Sequence, residues 1–94
     1  MKITISITLE TLKALVQYGL QSNTGITTEV YYNLTDYVII SVKEQKIYIT
    51  AIYRDKVLTH MSDVSYALFL DLIGELDYSN NDFKEIISNY KGGE

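Results

Sequence analysis

The chain contains no cysteine, no tryptophan and no proline, and its only histidine is His60. The absence of cysteine excludes a disulfide framework, a thiolate nucleophile and a cysteine-based zinc site. A single imidazole excludes metal sites and acid–base pairs that need several histidines. Long apolar runs are also missing, because runs such as Tyr66–Leu70 are far shorter than the roughly 18–20 residues of a membrane-spanning helix.

What is present is the composition of a folded soluble domain. The chain has 94 residues, of which 47% are apolar and 21% are charged, so we expect one domain over residues 1–94. Glu10 and Lys13 interrupt the region in which a secretory signal would be continuously apolar. We therefore expect a cytoplasmic protein with no membrane partner, located in the host cytoplasm if a phage encodes it.

The first two thirds of the chain alternate between strand and helix patterns. Apolar and polar residues alternate over Met1–Ile7, which predicts a half-buried strand, and helical apolar spacing predicts a helix over residues 8–22. Runs rich in β-branched and aromatic residues then predict three strands and a short edge strand. These are Ile26–Asn33, Tyr37–Lys43, Lys46–Arg54 and Val57–Thr59.

The last third of the chain has the pattern of two helices. Ser62 is a candidate N-cap and predicts a helix over residues 62–76, whose apolar residues cover a wider arc than a surface helix needs. Ser79, followed three residues later by Asp82, predicts the start of another helix. The order β-α-β-β-β-(β)-α-α is typical of the α+β class, with an antiparallel sheet of three to five strands packed by helices.

Few residues are candidates for chemistry. His60, Ser62 and Asp63 are too close in sequence to form a nucleophilic relay, and Ser62 and Asp63 suit the start of a helix instead. Asp71, Glu75 and the following Asp77 lack the glycine and terminal glutamate of a calcium loop. No glycine-rich loop follows a strand, so no phosphate cradle is expected. We therefore expect a non-catalytic protein without metal or cofactor.

The element order allows a nucleic-acid-binding interpretation. Helix, three strands and helix over residues 8–22, 26–54 and 62–76 is also the order of double-stranded RNA-binding domains, which contact phosphates at the start of the final helix. In this chain residues 62–66 contain no base. Basic residues occur around the two hairpin turns, interleaved with Glu44 and Asp55; they are Lys43, Lys46, Arg54 and Lys56. We therefore expect no direct binding of nucleic acid.

The negative charge is concentrated in the last third of the chain. Residues 61–94 contain seven acidic and two basic residues, a formal charge of −5 in a chain of net charge −4. Such a surface attracts basic partners, and tyrosine is enriched at interfaces. The simpler alternative is a solvated face that only maintains solubility. The candidate partner-binding residues are Asp71, Glu75, Asp77, Asp82, Glu85, Tyr78 and Tyr90.

This charge distribution predicts binding to a basic or nucleic-acid-binding protein. Carboxylates on a helix can imitate phosphates and occupy a groove built for nucleic acid. By analogy of size and charge, small acidic inhibitors encoded by phages or mobile elements, including anti-CRISPR proteins, work in this way.

The alternative hypothesis is self-association. The apolar residues on the predicted helix 62–76 exceed what one buried stripe requires. An excess apolar flank can be the interface of a homodimer or of a larger structural or regulatory assembly. The candidate self-association residues are Val64, Leu68 and Leu72.

Overall fold

The structure is a computed structural model that describes residues 9–78 and 82–91. It confirms the α+β class and shows an antiparallel sheet of four strands with three helices, in the order α-β-β-β-β-α-α. The predicted strand Met1–Ile7 lies outside the described residues. The elements are α1 (Leu9–Ser22), β1 (Ile26–Tyr31), β2 (Tyr37–Lys43), β3 (Lys46–Tyr53), β4 (Lys56–Val64), α2 (Tyr66–Tyr78) and α3 (Phe83–Lys91).

The four strands form a meander in which each strand pairs with the next one along the chain. The turns after β2 and β3 contain two residues each, and all four have positive φ: Glu44, Gln45, Arg54 and Asp55. Two left-handed residues in a row form the tight hairpin turn whose twist matches that of the strands. None of the four is glycine, so each turn carries a conformational cost.

One face of the sheet is buried by the helices. Alternate residues of β2 and β3 form the sheet side of the core, and each helix adds apolar side chains at helical spacing. Gly19 of α1 permits close approach, because a Cβ there would lie 2.8 Å from Ile26 Cγ1. The core includes Leu12, Val16, Val38, Ile40, Val42, Ile47, Ile49, Phe69, Leu72, Phe83, Ile86 and Ile87.

The region after the second hairpin differs from the prediction. The edge strand predicted over Val57–Thr59 is confirmed but is longer, since β4 runs over Lys56–Val64, and the helix start predicted at Ser62 was therefore wrong. Met61 pairs with Ile49 and Val64 with Ile47, with a register shift between these pairs that lets both apolar residues reach the core. Because burial of these two side chains favours the strand, the polar residues between them do not begin a helix.

Both C-terminal helices have a capping residue at a different position from the one predicted. Ser65 caps α2, because its Oγ accepts a hydrogen bond from the Leu68 backbone N at 3.1 Å. Asp82 caps α3, because its Oδ1 accepts one from the Glu85 N at 2.9 Å. The helix expected to start at Ser79 therefore has its described start at Phe83.

None of the helices in the described part of the chain is long and apolar enough to span a membrane.

Candidate functional site

The acidic residues predicted to bind a partner lie on α2 and α3, which pack against each other. Each helix directs its apolar residues into the core, among them Phe69 of α2 and Ile86 of α3. The remaining sides of both helices carry the charged residues and are exposed. The core therefore determines which side of each helix faces solvent.

Asp71 and Glu75 form the best-defined part of this acidic region. They are four residues apart on α2, which places them on the same helical face, and both are exposed. Half-buried Tyr90 of α3 lies close to both of them. Burial raises the pKa of the Tyr90 hydroxyl, and the negative charges of Glu75 and Asp71 raise it further. We call Asp71, Glu75 and Tyr90 the acidic helical face.

The carboxylates of the acidic helical face are not neutralised within the described part of the chain. Neither the Asp71 carboxylate nor the Glu75 carboxylate makes a salt bridge or hydrogen bond with another described side chain. Elsewhere in the fold, Lys13 Nζ lies 3.4 Å from Glu10 Oε1. Among the described side chains, Asp71 and Glu75 have no such cation within salt-bridge distance.

The structure separates the other predicted acidic residues from this face. At about 100° per residue, Asp77 lies about 120° around α2 from Asp71. Glu85 lies about 140° around α3 from Tyr90 by the same spacing. Asp82 is engaged in capping α3. The Tyr78 side chain lies outside the described part of the structure.

The three candidate self-association residues belong to the chain's own interior. Val64 is 7% exposed and Leu72 is fully buried, while Leu68 packs against the core. The wide apolar arc on α2 thus fills space between the sheet and α3. Large exposed apolar side chains occur away from α2, and they include Tyr18, Tyr32, Leu34 and Val57.

The described contacts of the His60 side chain are with Thr50 and Tyr48, and not with Ser62 or Asp63. Its Nδ1 lies 2.8 Å from Thr50 Oγ1, and its ring stacks on that of Tyr48 with centroids 6.3 Å apart. Ser62 and Asp63 belong to the same strand, where both are exposed. Among residues 9–78 and 82–91, no cluster of three or more acidic or histidine side chains could hold a metal ion.

The basic residues do not form a continuous strip. Lys43 and Lys46 face each other across the β2–β3 hairpin. Arg54 and Lys56 lie around the next hairpin, at the opposite end of β3. An eight-residue strand separates the two pairs by about 25 Å, so they form two separate basic patches.

Sequence reasoning did not identify Asp36 as an important residue. Its side chain is 8% exposed and accepts hydrogen bonds from Asn33 Nδ2 at 2.8 Å and from the Arg54 backbone N at 2.9 Å. Thr35 Oγ1 donates a third bond at 3.2 Å. Burial acts to raise the pKa of this carboxyl, but these bonds and the charge of Arg54 outweigh it and hold the pKa below 3.8.

The position of Asp36 had only a partial signal in the sequence. Asn33 Oδ1 accepts hydrogen bonds from the backbone N atoms of Thr35 and Asp36, which is a local Asx-type turn that the run Asn33–Asp36 suggests. The bond to Arg54 joins residues 18 positions apart and has no local signal.

Compared with protein-family models, curated proteins and solved structures, the chain has no significant match in any of the three.

Proposed function

We propose that this protein acts by binding a basic protein surface through the acidic helical face, without catalysing a reaction. The observation that carries the proposal is the pair of exposed carboxylates, Asp71 and Glu75, on one face of α2 with no cation paired to them in the described chain. Burial and, after it, the negative charges of Glu75 and Asp71 raise the pKa of Tyr90, which supports the proposal by placing the Tyr90 ring near both carboxylates.

The two types of side chain on this face have complementary roles in binding. The carboxylates attract and orient lysine and arginine side chains, which increases the association rate and the selectivity. Tyr90 adds contact area at low entropic cost, because its ring is already half-buried against the helices. Two carboxylates held on one face of a helix also imitate the negative charge of two neighbouring phosphates.

The partner proposed is therefore a protein whose own basic groove binds nucleic acid. Occupying that groove would inhibit the partner, as do small acidic inhibitors of the kind encoded by phages and mobile elements, anti-CRISPR proteins among them. In this proposal the protein acts in the cytoplasm, which is that of the host if a phage encodes the protein, and it binds no nucleic acid through the acidic helical face.

The test compares two variants with the same change in charge. The protein is immobilised as wild type, as D71N/E75Q and as D77N/E85Q, and proteins retained from a lysate of the cell in which it acts are quantified by mass spectrometry. We expect a basic protein that wild type and D77N/E85Q retain and D71N/E75Q loses. Raising ionic strength from about 0.1 M to about 1 M shortens the screening length from about 10 Å to about 3 Å and should release it.

Two outcomes would overturn the proposal. One is equal retention of the same proteins by all three forms, which would mean that the acidic helical face only maintains solubility. The other is the absence of any retained protein that is sensitive to salt. Circular dichroism of the two variants checks that both remain folded, which we expect because all four substituted side chains are exposed.

A further inference from the structure

A cleft at the β3–β4 hairpin combines positive charge with aromatic and aliphatic surface. It has a volume of about 430 Å³ and is lined by Tyr53, Arg54, Lys56, Val57 and Leu58. That volume is within the range of small-molecule sites, which are typically concave and mainly apolar with a few polar groups. Val57 is 67% exposed, so the aliphatic wall of the cleft is open to solvent.

Two cations lie near the ring of Tyr53, and a third basic residue pairs with Tyr53 across the hairpin. The guanidinium carbon of Arg54 lies 5.1 Å from the ring centroid, and Lys84 Nζ of α3 lies 5.7 Å from it. Lys56 is the register partner of Tyr53 across the hairpin. None of the three cations makes a salt bridge with a described carboxylate, and their combined positive charge favours binding of an anion nearby.

Two nearby carboxylates already accept hydrogen bonds from other groups, and one of them, Asp36, also interacts electrostatically with Arg54. Asp36 accepts hydrogen bonds from Asn33, Thr35 and the Arg54 backbone, and Asp82 caps α3. Asp55 is the exposed carboxylate of the hairpin turn itself. It is next to Arg54 in sequence and opposes the binding of an anion.

The backbone that presents Arg54 is held rigidly. Asp36 Oδ1 accepts from the Arg54 N, and the Thr35 carbonyl accepts from the Asp55 N at 3.1 Å. The loop 32–36 thereby fixes the hairpin turn in place before any ligand arrives. Tyr53 is also fixed, because its ring is nearly parallel to that of buried Phe83 with centroids 6.4 Å apart. Such preorganisation lowers the entropic cost of binding.

We propose that this cleft binds a phosphate monoester that carries a flat, weakly polar group. The phosphate is bound by Arg54 and Lys56 of the cleft lining, since arginine forms paired hydrogen bonds to phosphate oxygens, and Lys84 beside the Tyr53 ring adds positive charge. The flat group lies against the aliphatic wall of Val57 and Leu58 beside Tyr53. This is the chemistry of a nucleoside monophosphate and equally of the 5′-phosphate end of a nucleic acid strand.

The experiment measures binding of three probes by NMR titration of the ¹⁵N-labelled protein. The probes are adenosine 5′-monophosphate, a 5′-phosphorylated thymidine tetranucleotide and inorganic phosphate. We expect adenosine monophosphate to shift the amide signals of residues 53–58 and to bind more tightly than phosphate alone. If the tetranucleotide binds more tightly still, the ligand is a strand end; if it binds more weakly, the ligand is a free nucleotide.

Charge variants with a matched control decide whether the cleft is the site. R54Q/K84Q should weaken binding about tenfold or more, because it removes the charged hydrogen bonds of Arg54 and the positive charge of Lys84. K43Q/K46Q removes the same charge at the other end of β3 and should leave binding within about twofold. D55N should tighten binding, since it removes the opposing carboxylate.

Equal weakening by both double variants would overturn the proposal, because it would show a general charge effect. Signal shifts outside residues 53–58 and 83–86 would also overturn it, as would no binding of any probe at about 10 mM, a concentration above the weakest useful affinity.

Discussion

The acidic helical face and the cationic cleft are both charged surfaces of one small fold, but they are built in different ways. Asp71 and Glu75 come from a single helix, and their common direction follows from a spacing of four residues. The cleft draws on three separate segments, because Lys84 comes from α3 and the loop 32–36 fixes Arg54. The position of the charged patch on the helix thus follows from the local sequence, whereas the patch around the hairpin depends on tertiary contacts.

The largest expected effect lies beneath the acidic helical face. Leu72→Ala should lower the free energy of unfolding by about 3 kcal/mol, because it leaves a cavity at a fully buried position. Neighbouring Asp71→Ala should change it by no more than about 0.5 kcal/mol. Urea denaturation measures both. A small effect of Leu72→Ala would mean that this flank of α2 is not core and would restore the self-association hypothesis.

The second effect concerns the hydrogen bond by which Asp36 holds the hairpin of the cleft. Asp36→Ala should lower the free energy of unfolding by about 2 kcal/mol, since it leaves the Arg54 N–H and the Asn33 side chain without their acceptor. Asp55→Asn, in the same hairpin, is the control and should be within about 0.5 kcal/mol of wild type. If both variants unfold at the same urea concentration, the loop 32–36 does not hold the hairpin.

The contribution of Asp36 should also depend on pH. Its pKa is below 3.8 in the folded protein, so its carboxylate stabilises the fold fully at pH values above the unfolded pKa. This contribution is lost as the pH falls below 3.8 and through the folded pKa. The difference in stability between wild type and Asp36→Ala should therefore be largest near neutral pH and shrink in acid. A difference that grows on acidification would contradict the assigned direction.

A smaller effect distinguishes the two hairpin turns from the strands. Gln45 has φ of 64°, a conformation that costs a residue with a Cβ more than it costs glycine. Gln45→Gly should raise the free energy of unfolding by about 0.5–1 kcal/mol, after allowance for the entropy of glycine in the unfolded chain. Thr27→Gly in the extended strand β1 should have the opposite sign. Thermal or urea unfolding of both variants checks the contrast.

The smallest effect reports on the acidic helical face directly. D71N/E75Q should lower the pKa of Tyr90 towards 10.0, because it removes the two negative charges that help to raise it. D77N/E85Q should leave that pKa unchanged, since those carboxylates face elsewhere. NMR titration of the tyrosine ring carbons follows the change. An equal shift in both variants would show that the acidic residues act as one diffuse field.

Much of the fold was accessible from the pattern of residues. Alternation and helical spacing located α1, β1, β2 and β3 to within about two residues, because each of these segments has an apolar face at its own period. The end of β4 was missed, since His60–Val64 carries polar residues that resemble a helix start. Pairing with β3 and a local change of register bury Met61 and Val64 there, and only a neighbouring strand makes that burial possible.

The candidate site shows the same division. The i, i+4 spacing of Asp71 and Glu75 is sufficient to place both residues on one face of a helix. The approach of Tyr90 to them depends on how α3 packs beside α2, and the isolation of Asp77 and Glu85 depends on which sides the core occupies. The net charge of a sequence segment could not distinguish these residues, because it does not show which side of a helix each side chain occupies.

By itself the sequence determined the α+β class, the meander, the acidic character of the C-terminal helices and the two exposed carboxylates of α2, because these follow from periodicity and composition within single elements. Only the tertiary structure decided that Val64 and Leu72 belong to the core and that Asp36 joins the loop 32–36 to a hairpin. It also decided that Lys84 and Arg54 both lie near the ring of Tyr53. Those outcomes depend on contacts between residues far apart in the chain, whose burial and hydrogen bonding outweigh the local preference of each segment.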